Sequence, residues 1–585
     1  MADILRRSYG AQTREYLLPI ISVFLLFVFM AFSSVVSAAK DSTQPNILWL
    51  VIEDMSPLLP MYGDHTIETP NISRLAKEGV VYTNVFSTSG VCAPSRAALA
   101  TGLYPTSFGA NNMRTGSNTD ETGLPKYEAV PPAEAKMLSQ LMQDAGYYTT
   151  NNYKTDYQFN APKTAWNDSS IYAHWRNRPS NKPFFSVFNF TTTHESGLFE
   201  PYGIRKLEQR HYFSSDADKI AKLPNDHRIK TDKAATPIHV PKDAAFPVPP
   251  YLPNTPVVQR DLWKVYNNLA ETDRQIGAIL ALLEKDGLME NTIVVFYSDH
   301  GGPMPRQKRL IYDSGLKVPL IIRFPKGYRA GTIDEQLISF VDFAPTTLAM
   351  AGAPIPKYMH GRSFIANRSA ERKYVFAAAD RFDGVTDTVR TVRSRCYKYI
   401  RNYRPEKPYY LPVAYREKIP TMQELLQLNR KDMLTPSQRQ WFRSEKDEHE
   451  LFDVCNDPHE LSNLARVANY SEKLSHMQRA LDTWLAQIGD EPLKPERQLI
   501  SELWNEQQNQ PKTEAPKITH RDGKIVISSK TPGAFISYRI KQHENVSPWR
   551  PYSDEIAVEE GTIEAVAHRI GYIESSPAIL ALDAD

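Results

Sequence analysis

Cys92, Ala93, Pro94, Ser95 and Arg96 open a run that closes at Thr101 and Gly102. Pro94 suits the first turn of a helix and Gly102 its C-terminal exit. Cys92 then stands at the helix N-terminus, where free N–H groups and the helix dipole favour an anion. Arg96, one turn on, shares the face of Cys92 and points a guanidinium at that anion. As physics this is an anion-binding nucleophile; the plainer alternative is a buried free cysteine. Two acidic pairs add a second kind of chemistry. Glu53, Asp54 and Asp299 offer the oxygen donors that a hard dication requires, and His300 adds a nitrogen ligand or a hydrogen-bond donor.

The elements that must position these groups are legible in the apolar patterning. Residues 46–52, 183–190, 292–298 and 318–324 are short, nearly continuous apolar runs and read as buried parallel strands. Residues 261–285 form an amphipathic helix with Leu262, Val265, Leu269, Ile276, Leu280 and Leu283 inward, ended by Gly287. Strands alternating with helices predict an α/β sheet with helices on both faces. Glu53-Asp54, His194 and Asp299-His300 follow three of the strands, where open α/β sheets bind ligands. A Pro-rich excursion spans 237–256. Residues 372–488 form a second region with one strand over 389–400. Beyond the polar stretch 506–516, alternating segments at 517–519, 524–528, 534–540 and 562–568 predict a small β-sandwich.

The chain has 585 residues, with 69 Lys+Arg against 67 Asp+Glu and a net charge of +2. That balance excludes the electrostatic footprint of a nucleic-acid binder. Arg6, Arg7 and Arg14, the apolar stretch 17–32 and Val36-Ser37-Ala38 follow the order of a secretory signal, with an uncleaved anchor as the alternative. Cleavage after Ala38 predicts an exported protein, periplasmic or secreted, with no stable membrane anchor. Of three cysteines, Cys396 and Cys455 remain once Cys92 is set aside, either as a disulfide or as separately buried thiols.

The pattern C-x-P-S-R-x-x-L-x-T-G at 92–102 resembles the signature of type I sulfatases. The resemblance implies that Cys92 is converted to formylglycine by a formylglycine-generating enzyme, and that a hydroxyl of the aldehyde hydrate attacks sulfur. It further implies an alkaline-phosphatase-like sheet, a smaller C-terminal α+β subdomain and a calcium ion on Glu53, Asp54, Asp299 and His300. Ligand chemistry alone leaves Mg²⁺ or Mn²⁺ open, and glutamate stands at 53 where the family usually shows aspartate. Lys308 resembles the family's sulfate-binding lysine. Lys154 matches the lysine of a K-x-H pair, but Asp156 replaces the histidine that helps expel sulfate. His194 resembles the acid that protonates the leaving group, for which a neutral-range pKa is suited. The run from Glu450 to Leu464 is similar to a stretch in the sulfatase C-terminal subdomain. The expected divisions are a signal peptide at 1–38, a catalytic domain at 39–371, its subdomain at 372–505 and the terminal module at 512–585. That module is similar to those appended to some hexosaminidases, with a structural or a glycan-binding role.

Gly302-Pro303-Met304-Pro305 and residues 390–400 resemble the heparan N-sulfatase branch. This implies a sulfated carbohydrate, with N-sulfoglucosamine as leading substrate and Asp380, Arg381, Asp383 and Arg390 as sugar contacts. Two rivals are a phosphomonoester or phosphonate hydrolase on the same fold, and a silent glycan-binding protein in which Cys92 stays unmodified.

Overall fold

The computed structural model describes residues 44–117, 119–199, 204–205, 233–234, 236–365, 372–521, 523–558 and 560–582. The expected signal segment lies outside them. Among the described residues no helix is long and apolar enough to cross a membrane.

Eight strands build the main sheet: β1 (Asn46–Ile52), β2 (Val80–Phe86), β3 (Tyr148–Asn152), β4 (Asp168–Ser169), β5 (Phe184–Phe190), β6 (Thr292–Ser298), β7 (Lys317–Arg323) and β8 (Thr332–Ser339). Their order is β8-β2-β7-β6-β1-β5-β3-β4. Alternate side chains of the central strand β1 enter two different cores, as a period of two dictates. Leu48, Leu50 and Ile52 pack on one face with the helix Pro256–Lys285, while Ile47, Trp49 and Val51 pack on the other with Phe343–Met350. Both faces are therefore covered, which explains why β1, β5 and β6 are buried along their whole length. This is an alkaline-phosphatase-like mixed sheet.

Register fixes the functional end. Ile52 of β1 lies opposite Phe190 of β5 and Ser298 of β6, all three strands being parallel. The three chain exits thus leave the sheet at one level. The Glu53 N–H donates to the Phe190 carbonyl and the Asp299 N–H to the Ile52 carbonyl, at 3.2 and 3.1 Å.

Three expectations need correction. Strand β7 is antiparallel to both neighbours, not parallel. The chain turns back after β6 through 299–316 without a crossover helix, and a strand buried on both faces carries the same apolar run in either direction. The long helix, α2 hereafter with α1 as Cys92–Thr101, begins at Pro256, because Thr255 accepts the Val258 N–H and Pro256 fills the first position. The single strand expected over 389–400 is a hairpin, Val385–Arg393 and Tyr397–Asn402, reversing at Ser394. These two strands belong to a four-stranded antiparallel sheet with Val375–Phe382 and His449–Asp453. Cys396 and Cys455 form a disulfide, with Cα atoms 5.0 Å apart.

The terminal segment builds two small antiparallel sheets around Ile525, Ile527, Val558, Ile563 and Ala565. Ile570, fully buried, reaches past that core to join Ala97 and Ala100 of α1 and Tyr157 and Phe159.

Candidate active site

Every residue of α1 is buried. Val91 precedes it in extended conformation, and Gly102 ends it at φ 71°, returning its N–H to the Ala98 carbonyl. A side chain at 102 would meet Met359 at 2.9 Å, so glycine is required there on two counts. The Ser95 hydroxyl donates to the Asp299 carbonyl, tying the first turn of α1 to the exit of β6.

This brings the nucleophile candidate to the carboxylates. Cys92 Sγ lies 3.3 Å from His300 Nε2 and 3.9 Å from Asp54 Oδ1. Asp54, Cys92, Asp299 and His300 offer ligand atoms within 4.8 Å of one another, all buried. Two carboxylates and an imidazole in that space fit a hard dication, with His300 as the one nitrogen donor. Glu53 sits to one side, in a second grouping with Asp54 and His194.

Cations surround these acids. Arg96 donates to Asp299 Oδ2 at 3.1 Å, Asn189 Oδ1 at 2.7 Å and Glu53 Oε1 at 3.3 Å. Lys154 Nζ lies 2.8 Å from Glu53 Oε1 and 3.7 Å from Asp156 Oδ2. Lys308 Nζ, only 2% exposed, reaches Asp54 Oδ2 at 2.6 Å, Glu195 Oε1 at 3.2 Å and His194 Nε2 at 3.3 Å. Burial alone would raise the Asp54 carboxyl, yet Lys308, His194 and His300 hold it well below the usual range. For Asp299 burial is likewise outweighed, by His300 and Arg96, and its pKa falls. For Glu53 burial wins over Lys154 and Arg96, and its pKa rises.

His194 departs from expectation. Burial, then the adjacent Lys308 ammonium, lowers it to about 3 rather than leaving it near neutrality. Its Nδ1 lies 2.9 Å from the Ser196 hydroxyl and 3.2 Å from the Ser196 N–H, and its Nε2 faces the Lys308 ammonium at 3.3 Å. His300 moves the other way, to about 10: burial opposes its charge, but Asp299 and Asp54 outweigh that.

Three groups escaped the sequence reading. Asn189 bridges Arg96 to the Asn151 side chain, and it is a polar interruption in the apolar run of β5. Glu195 gives its N–H to Asp54 Oδ2 at 2.7 Å and is gripped by both terminal nitrogens of Arg309 at 2.9 Å. Glu195 and Arg309 directly follow residues already singled out, His194 and Lys308, and that adjacency was the available signal. Asp156 is not among the groups around Cys92; it borders Lys154, with its side chain 38% exposed.

The expected sugar contacts lie in buried ion pairs. Arg390 is held by Asp380 at 2.9 Å and Asp490 at 2.6 Å, and Arg381 by Glu496 at 2.7 Å. Asp383 joins Arg114 at 2.8 Å to Arg309 at 3.4 Å. Asp380 and Arg390 border a cavity of about 330 Å³.

Residues 45–353 match the family model described as Sulfatase, more than half of the chain. The chain belongs to the sulfatase family. Residues 306–421 of this sulfatase also match the C-terminal model of N-sulphoglucosamine sulphohydrolase. It is 56% identical, over 91% of its own length and 90% of the relative's, to an ulvan-active sulfatase of Formosa agariphila. Human N-sulphoglucosamine sulphohydrolase is 26% identical over 75% of this chain and 89% of that one. A solved structure bound to its substrate D-glucosamine-2-N,6-O-disulfate has a TM-score of 0.52 at 19% identity, covering 77% of this chain and 99% of that chain. The buried Cys/Asp/Asp/His cluster is the active-site architecture of a formylglycine-type sulfatase acting on sulfated sugars.

Proposed function

We propose that this sulfatase removes O-sulfate groups from an ulvan-type polysaccharide, and that N-sulfoglucosamine is not its preferred substrate. The observation that carries the reading is the 56% identity to an ulvan-active sulfatase across nearly the whole of both chains, against 26% to the human sulphohydrolase. Incubation with ulvan oligosaccharides and with N-sulfated heparan fragments, followed by sulfate release, tests it. The expected result is release from ulvan alone; release only from the N-sulfated fragments overturns it.

Cys92, oxidised to formylglycine, supplies the attacking hydroxyl. Asp54, Asp299 and His300 would hold a divalent metal, calcium with Mg²⁺ and Mn²⁺ as alternatives, which when bound would supply positive charge to sulfate oxygens. Arg96, Lys154 and Lys308 present fixed cations to the charge that develops on the transferring group. His194 Nε2 faces the same space and donates to the departing oxygen. An arriving sulfate brings negative charge beside His194 and raises its pKa, countering Lys308. His300 donates from Nδ1 to the Gly301 carbonyl at 3.0 Å, which leaves Nε2 for the metal and no free nitrogen to act as the base in sulfate release. Cys92→Ala is expected to abolish sulfate release while the thermal midpoint holds. An unmodified thiol in the Cys92 peptide of active enzyme, read by mass spectrometry, overturns the nucleophile assignment. Metal analysis of the purified protein identifies the ion. The N-terminal pattern and the Cys396–Cys455 disulfide support export to an oxidising compartment, which N-terminal sequencing of the mature protein tests.

A further inference from the structure

Behind the active site, a cavity of about 60 Å³ lies between the four-stranded sheet and the loop preceding residue 416, lined in part by Arg309, Arg416, Lys446, Asn402, Leu411 and Trp441. Arg416 is 4% exposed. Its Nη2 donates to the Leu411 carbonyl at 2.5 Å, and its guanidinium lies 5.2 Å from the Tyr410 ring and 5.0 Å from that of Trp441. Its Nε is fully buried and has no hydrogen-bond partner. No described carboxylate forms an ion pair with it.

Two carboxylates, Asp387 and Glu450, also line the cavity, and they and the other acids nearby are engaged elsewhere. Both oxygens of Asp387 take Lys446 at 2.9 Å. Glu450 accepts from Asn402 at 2.7 Å, and burial raises its pKa, disfavouring its charge. Glu195 and Asp383 belong to Arg309. Burial, followed by repulsion from Arg309, lowers the Arg416 pKa to about 10, with Glu195 and Glu417 opposing more weakly. A buried guanidinium beside a second one, with an orphaned donor, lacks one negative charge.

Size selects the ligand. A single water needs about 10–15 Å³ of such space, and sites for organic ligands span about 300–1,000 Å³. The cavity therefore holds a small ion with several waters but no sugar ring, and water alone supplies no charge. We infer that this cavity binds a small monovalent anion of halide size, held by Arg416 beside Arg309. The anion screens the two guanidiniums from each other and so steadies the grip of Arg309 on Glu195, which in turn touches Lys308 and Asp54.

Two measurements test the site. Crystals of the full chain soaked in bromide should show an anomalous peak within hydrogen-bonding distance of Arg416 Nε. At constant ionic strength, replacing gluconate by chloride should raise the thermal midpoint saturably, on the order of 2–4 °C, and Arg416→Met should remove that response. Ordered water without anomalous signal overturns the inference, as does an equal chloride response in R416M. If R416M fails to fold, the bromide peak decides alone.

Discussion

Glu53 is shared between Arg96 and Lys154, and this sharing defines the side of the cluster on which Asp156 stands. From there the Asp156 carboxylate borders an ammonium but not the nucleophile, whereas His300 touches it. Asp156→Asn should therefore slow turnover by less than about tenfold and accumulate no sulfated enzyme. His300→Asn exchanges a nitrogen donor for an oxygen donor and should change the metal concentration needed for activity. Intact mass under saturating substrate should show no sulfated adduct in D156N. An adduct there returns the role in sulfate release to Asp156. At this scale the sequence exposed Cys92, Arg96, the acidic pairs and both lysines, because each stands in a motif. It did not expose Asn189, since one amide in an apolar strand has no pattern, and its meaning comes only from facing Arg96.

The loops after β5 and β6 are locked together by the Arg309–Glu195 pair, both members about 1% exposed. Removing one partner of a buried pair typically costs about 3–5 kcal/mol. Arg309→Met and Glu195→Gln should each destabilise by that order, and the double variant by less than the sum. Burial acts to raise the Glu195 pKa, but Arg309 and Lys308 prevail and lower it to about 2 from 4.5. A depressed carboxylate contributes stability that is complete above its unfolded pKa and is lost as pH falls through the folded one. The unfolding free energy of the wild type should thus drop relative to E195Q between about pH 4.5 and pH 2. Parallel denaturation curves for the two proteins across that window would contradict the grip. Elements with a continuous apolar run, such as β1 and β6, were legible to the residue. The direction of β7 was not, because direction is decided by the connection and not by the strand. The 389–400 hairpin was missed because Ser394, Arg395 and Cys396 form a turn without glycine or proline.

The terminal sandwich meets the catalytic body at Ile570, which shares a cluster with α1 and the segment after Asp156, and at the Thr164–Ser537, Lys163–Glu574 and Arg569–Pro131 contacts. Four of the sandwich strands were legible from alternation, but the last one, Ala578–Leu582, was not. Nor was the contact at Ile570, since Ile570 lies between strands, where no periodicity marks it. Large-to-small changes at such positions cost about 2–5 kcal/mol. Ile570→Ala should lower stability by that order in a denaturant titration of the full chain, and an unchanged midpoint would mean that the joint does not depend on Ile570. Burial of α1 has another consequence, concerning time. Cys92 is 2% exposed on a helix whose every residue is buried, so an enzyme that must hold the chain on both sides of it has no purchase on the folded protein. On the proposed formylglycine chemistry, maturation comes first and folding second. A formylglycine-generating enzyme added to folded, unmodified protein should leave the Cys92 peptide unchanged, and should convert it when the chain is presented unfolded. Two chains of one sequence and one fold then differ only in history: the chain that met the maturation enzyme early turns over, and the chain that met it late stays inert for as long as it remains folded.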